Sequence, residues 1–162
     1  MTEQMIRKGD QANSLRKVVS VKAPPEVAWR VFTEKMGTWW PLATYKIGQA
    51  KAVDAVIEPR VGGRWYERGA DGSTCDWGRV LVWEPHARLV LSWEISADWK
   101  PDPHLKTEVE VHFMADGKNT RVELEHRRLD LYGARRDEMH GIFDSESGWS
   151  GLLASFARAA ST

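Results

Sequence analysis

Between about residues 52 and 128, apolar and polar side chains alternate with a period of two, and turn-forming residues interrupt the alternation every ~8–12 residues, which predicts consecutive antiparallel strands. The turns fall at Pro59 to Gly63, Ala70 to Ser73, Glu84 to His86 and Asp116 to Asn119, each carrying residues that preset or permit turn dihedrals. A longer loop, Ser96 to His104 with Pro101 and Pro103, breaks the series once. Between these lie AVDAVIE, GRWYERG, TCDWGRVLVWE, ARLVLSWEI, LKTEVEVHFMA and TRVELEHRR. The β-branched run RKVVSVK, residues 16–22, adds an opening strand and brings the predicted total to seven. Pro24 and Pro25 stop it, and PEVAWRVFTEK then sets Val27 with Val31 and Ala28 with Phe32 at i, i+4 spacing, which predicts a short amphipathic helix. Gly37 ends that helix, and Thr38-Trp39-Trp40-Pro41 reads as a turn or half-helix.

Parity assigns the faces of the later strands. Leu89, Leu91, Trp93 and Ile95 share one side, as do Val109, Val111 and Phe113. In the last strand Val122 and Leu124 point inward, so His126 is inward too, while Arg121, Glu123, Glu125 and Arg127 point out. Strand 74–84 is ambiguous because both parities carry apolar residues, and Gly78 is a site for a bulge that resets register. From 134 to 160 the period returns to helical, with Met139, Ile142, Phe143, Trp149, Leu153, Phe156, Ala157 and Ala160 on one stripe ~40 Å long. Glu146 on the stripe, and Gly148 with Gly151, weaken its middle and predict a kink there. The sum is an α+β domain in which only the terminal helix can cover the inner face of a curved seven-stranded sheet. A twisted sheet does not meet a straight helix everywhere, so a gap between them is expected.

Composition narrows the function. The 162 residues make one domain, with residues 1–14 expected as a loose tail and 15–162 as the folded unit. Lysine plus arginine equals aspartate plus glutamate at 23 each, so no broad field exists to draw nucleic acid or an acidic membrane. Without an apolar run near the ~18 residues of a membrane span, or a secretion-signal h-region near the start, the chain reads as cytoplasmic. Cys75 is the single cysteine, and Asp76 beside it does not favour a reactive thiol. Nine tryptophans supply bulky walls whose indole N–H groups need acceptors, which suits a core lining a cavity and equally a core compensating for modest aliphatic content.

Several stretches then carry a family resemblance. Pro24-Pro25-Glu26-Val27-Ala28-Trp29, Glu58-Pro59-Arg60-Val61-Gly62-Gly63-Arg64-Trp65, Trp77-Gly78-Arg79-Val80, Glu84-Pro85 before Arg88-Leu89-Val90-Leu91-Ser92-Trp93, and Gly148-Trp149 resemble the START-like (SRPBCC) superfamily in order and spacing. More narrowly, they are similar to the branch named after the activator of the ninety-kilodalton heat-shock protein ATPase, over residues 15–160. The resemblance implies a helix-grip fold with two short helices after the first strand and a hydrophobic ligand pocket under the C-terminal helix. It does not imply a chaperone partner, because the eukaryotic activator also uses an additional N-terminal domain for which this chain has no room.

Candidate chemistry is sparse. Glu67 follows Trp65 by two positions, so an inward Trp65 brings a carboxyl group into the interior, either as a general base or ligand anchor or as an acceptor for indole N–H groups. His126 is the other inward titratable group. No two of the five histidines share i, i+4 spacing, so no metal site is expected, and no cofactor is assigned. Ser150 within Gly148-Trp149-Ser150-Gly151-Leu152 is not a nucleophile elbow, and Gly62-Gly63 is a hairpin turn and not a phosphate cradle. The leading expectation is a binding protein for a hydrophobic or aromatic small molecule. Trp77, Trp93, Phe113, Met139, Phe143 and Trp149 would be walls, Glu67 and His126 would orient the guest, and Trp39 with Trp40 would form a rim or lid. The alternatives are a cyclase or dehydratase using Glu67 or His126 as acid/base, and a regulatory, co-chaperone-like partner protein. Mixed charges on the sheet's outer face argue against the last, no catalytic residue is assigned, and a homodimer stays open.

Overall fold

A computed structural model describes residues 12–161. Seven strands, β1 (Leu15–Val21), β2 (Ala52–Ile57), β3 (Arg64–Gly69), β4 (Thr74–Glu84), β5 (Arg88–Trp93), β6 (Thr107–Asp116) and β7 (Asn119–Arg127), form one curled antiparallel sheet in the order β1-β7-β6-β5-β4-β3-β2. The two strands earliest in the chain therefore stand at opposite edges. The segment that joins them carries α1 (Pro25–Glu34), a 3₁₀ turn at Met36–Thr38 and an irregular stretch to residue 51. Pro25 opens α1, where its missing N–H leaves nothing unpaired, and Ala28, Trp29, Val31 and Phe32 form its buried face. No helix among the described residues is long and apolar enough to cross a membrane.

The C-terminal segment does cover the concave face, but as two helices, α2 (Arg136–Asp144) and α3 (Gly151–Ala160), with a wide turn at Glu146–Ser150 between them. Gly148 leaves helical geometry there at φ −100°, ψ −136°. A Cβ on it would sit 2.3 Å from the Ile142 carbonyl oxygen and 2.4 Å from that of Phe143, so the chain doubles back too tightly for a side chain. The predicted kink is thus a full break, and Glu146 escapes the apolar stripe to solvent.

Strand β4 explains its own ambiguity. Trp77 and Val80 are both buried although they differ in parity, because the β3–β4 register slips between the pairs Trp65–Gly78 and Tyr66–Asp76. Of the predicted N-terminal tail, residues 1–11 lie outside the described residues. Asn13 and Ser14 are held in place: the Asn13 carbonyl accepts from Leu129 N at 2.9 Å, its side chain from Arg136 at 3.1 Å, and the Ser14 carbonyl meets His140 Nε2 at 3.0 Å.

On the outer face, charges pair across strands. Glu110 lies between Arg88, Arg127 and His112. Burial works against its charged form, but the bonds from these three outweigh it and hold the carboxyl down at about 2.

Candidate functional site

The interior is filled at one end and hollow at the other. At the filled end, Phe113 meets Trp29 and Phe32 of α1 with ring centroids 5.2 and 5.8 Å away, and Phe32 meets Trp39 and Phe156 at 5.2 Å each. Trp39 is fixed there by its indole N–H on the Val31 carbonyl (3.1 Å) and by Ser155 Oγ donating to its own carbonyl (2.6 Å). Toward the other end of β6, where Thr107 pairs with Trp93 some six residues and ~20 Å away, the sheet and the broken helix part. They enclose a cavity of about 330 Å³.

Five indoles line that cavity: Trp40, Trp77, Trp93, Trp99 and Trp149. Phe143, Ile142 and Leu152 from α2 and α3, Ile95 beyond β5, and Tyr45 and Ile47 from the irregular stretch complete the apolar wall, with Thr44, Lys46, Ser147 and Gly148 at its edges. The indoles brace one another edge to face, Trp93 with Trp149 at 5.7 Å and with Phe143 at 5.4 Å, and Trp40 tilts over Trp77 at 5.0 Å. Of the side chains expected at a binding site, the structure thus gathers Trp40, Trp77, Trp93, Phe143 and Trp149. It sets Trp39 and Phe113 in the filled end and leaves Met139 sealed on the buried face of α2.

Glu67 and His126 are inward as parity requires, but neither lines the aromatic cavity. Glu67 Oε1 accepts from Trp77 Nε1 at 2.9 Å and from the Ile47 amide at 2.5 Å, so this carboxyl group pins a cavity wall from behind. Trp149 Nε1 donates to His126 Nδ1 at 3.1 Å, which puts the imidazole proton on Nε2, facing Thr107 Oγ1 at 2.9 Å; the Thr107 hydroxyl then donates to the Trp93 carbonyl at 3.0 Å. Burial pushes the His126 imidazole down to about 3, so it stays neutral. It is a spacer between two tryptophans of the wall. Trp40 Nε1 reaches the Tyr45 carbonyl at 2.9 Å, while Trp93 Nε1 is the one sealed polar side-chain atom without a hydrogen-bond partner among the described residues.

Burial, with Glu67 and Asp76 nearby, pushes the Cys75 thiol up to about 11, which leaves it protonated and unreactive. Among the described residues no three His, Cys, Asp or Glu side chains gather as a metal group. Tyr45, Ile47 and Trp99 were not expected at the site. Their signal was the presence of large apolar side chains in stretches with neither period, where no strand or helix accounts for them.

Comparison with known proteins places this geometry. No curated protein matches the chain. Among solved structures, the anthrahydroquino-γ-pyrone synthase Txn09, complexed with SUM, is 37% identical, with 90% of this chain and 95% of that one covered and a TM-score of 0.63. CalC from Micromonospora echinospora, a self-sacrificing resistance protein, is 31% identical over 92% of this chain and 95% of its own, with a TM-score of 0.67. Protein NE0264 from Nitrosomonas europaea, 15% identical, shares the fold at a TM-score of 0.66 over 92% of this chain and 94% of its own. The family described as Activator of Hsp90 ATPase homolog 1-like protein matches residues 22–161, and this chain belongs to that family, within the START-like (SRPBCC) superfamily.

Proposed function

We propose that the protein binds a flat, largely apolar small molecule in the aromatic cavity between the sheet, the irregular stretch before β2 and the broken C-terminal helix. The observation that carries this reading is open space walled by five indoles. A core built only for stability would close over such side chains, as the Phe32–Phe113–Phe156 end does. At about 330 Å³ the cavity lies at the small end of the ~300–1,000 Å³ range of ligand pockets, which suits a guest of two or three fused rings. The 37%-identical relative is named as an anthrahydroquino-γ-pyrone synthase, and carried to this chain that name points to a fused-ring aromatic guest.

The same relative favours a second reading, an enzyme acting on such a guest. The titratable side chains on the cavity itself are Tyr45 and Lys46, so proton transfer to a guest would draw on these and not on Glu67 or His126.

Anthraquinone-2-sulfonate, a soluble three-ring probe, should quench tryptophan emission saturably. Ile142→Trp, which fills the cavity from a half-buried helix position, should weaken that binding about tenfold or more while leaving the thermal midpoint within a few degrees. Absence of quenching, or equal quenching in the variant, would sink the proposal.

A further inference from the structure

The stretch from Tyr45 to Ala50 forms a strap between two cavities, and Ile47 lines both. The second cavity, of about 450 Å³, lies between this strap, the β3–β4 hairpin and Pro101. Its character is the reverse of the first. Glu67, Asp71, Ser73 and Cys75 contribute polar groups, and its lining residues include no cation. Lys46, in the strap, turns its ammonium to the Gly48 and Gln49 carbonyls at 2.6 and 3.5 Å.

Glu67 is 2% exposed, yet only half of its carboxyl group is used. Oε1 carries both the Trp77 and Ile47 bonds, and Oε2 carries none among the described residues. Among the described residues Oε2 is not one of the fully sealed atoms that lack a partner, and the cavity that Glu67 lines is the second one. A Cβ on Gly48 would come within 3.1 Å of Oε2 and 3.3 Å of Cys75 Cβ, so this oxygen lies beside Gly48, a residue of that cavity's lining. Asp71 at the rim adds a second negative charge: the Ser73 hydroxyl and amide, at 2.5 and 3.0 Å, hold its carboxyl below the usual range.

We propose that the second cavity binds a small organic ammonium ion, its N–H groups on Glu67 Oε2 and its hydrocarbon part against Ile47, Ala50 and Pro101. A single free oxygen is too few donors for a metal ion, whereas an ammonium needs one or two charge-assisted bonds and tolerates an apolar wall. The site is separate from the aromatic cavity and stands whether or not that cavity takes a guest.

The test is a titration with cyclohexylammonium, followed through the amide resonance of Ile47 and the indole N–H resonance of Trp77, with cyclohexanol and cyclohexanecarboxylate as controls. The ammonium should shift both resonances saturably, and cyclohexanecarboxylate should leave them in place. In Glu67→Gln the amide oxygen can keep the Trp77 and Ile47 bonds while its NH₂ replaces Oε2, so binding should weaken about tenfold or more with the Trp77 resonance still at its folded position. Ser73→Phe, which leaves Glu67 untouched and narrows the rim, should weaken binding similarly. Equal affinity for cyclohexanol, unchanged binding in both variants, or no saturable shift at all would overturn the assignment.

Discussion

Gly78→Ala should lower stability by about 3 kcal/mol or more, whereas Gly141→Ala should raise it by up to about 1 kcal/mol. The contrast lies in what the added methyl meets. At Gly78 a Cβ would lie 1.7 Å from the Ser92 carbonyl oxygen and 2.7 Å from its carbon, both backbone of β5. No rotamer relieves a clash with backbone, and β4 cannot simply withdraw. Its Trp77 carbonyl accepts from Glu94 N at 2.7 Å, and its Arg79 amide donates to Ser92 Oγ at 2.8 Å, one on each side of the glycine. Pushing the strands apart breaks these bonds and moves Trp77 away from Trp93, so anthraquinone-2-sulfonate binding should fall with stability. At Gly141, on the exposed side of α2, nothing lies within 4 Å and the alanine gains only helix propensity. Urea unfolding of both variants decides the matter, and equal midpoints would show that the β4 bulge does not need its glycine.

That bulge also marks how far the chain can be read without coordinates. Turn residues between alternating runs located six strands and a β-branched run the first, and parity placed His126 inside and Glu67 on the side of Trp65. Parity says which face a side chain takes, but not which end of the interior it reaches. Phe113 and Trp93 share the concave side, yet one packs on α1 and the other walls a cavity. The difference depends on where the helices lie, and α1 fills one end while the break at Gly148 turns the chain away from the other. Two glycines and a glutamate showed that the terminal helix was weak there, but helix propensity carries no information on the backbone approach to Ile142 and Phe143 that makes the break complete. The strap from Tyr45 to Ala50 was less legible still. It has no period, and its position comes from the packing of Tyr45 and Ile47 on the core and from two bonds, the Ile47 amide on Glu67 and the Tyr45 carbonyl under Trp40.

The polar groups behind the wall make it sensitive to acid, and the sign follows from the direction of each shift. His126 is held down to about 3 in the folded protein against the usual ~6.5, so below pH ~6.5 the unfolded chain binds a proton that the folded one does not. Stability is therefore full above that pH and falls as the pH drops toward 3, by on the order of 2–3 kcal/mol by pH ~4.5. Glu110, held at about 2, adds its own loss only below its ordinary ~4.5, so the interval above belongs to the histidine. His126→Gln can still accept from Trp149 and donate to Thr107 but cannot titrate. It should be less stable than the parent by about 1–3 kcal/mol near neutrality, with the gap closing as the pH falls to ~4.5. Parallel stability curves for the two proteins would show that His126 does not carry the acid response. Because the folded protein keeps His126 neutral until the pH nears 3, Nδ1 still accepts from the Trp149 indole throughout this interval, so the probe's affinity for the aromatic cavity should hold in the fraction that remains folded; a loss of affinity ahead of unfolding would show that the imidazole takes up its proton inside the fold.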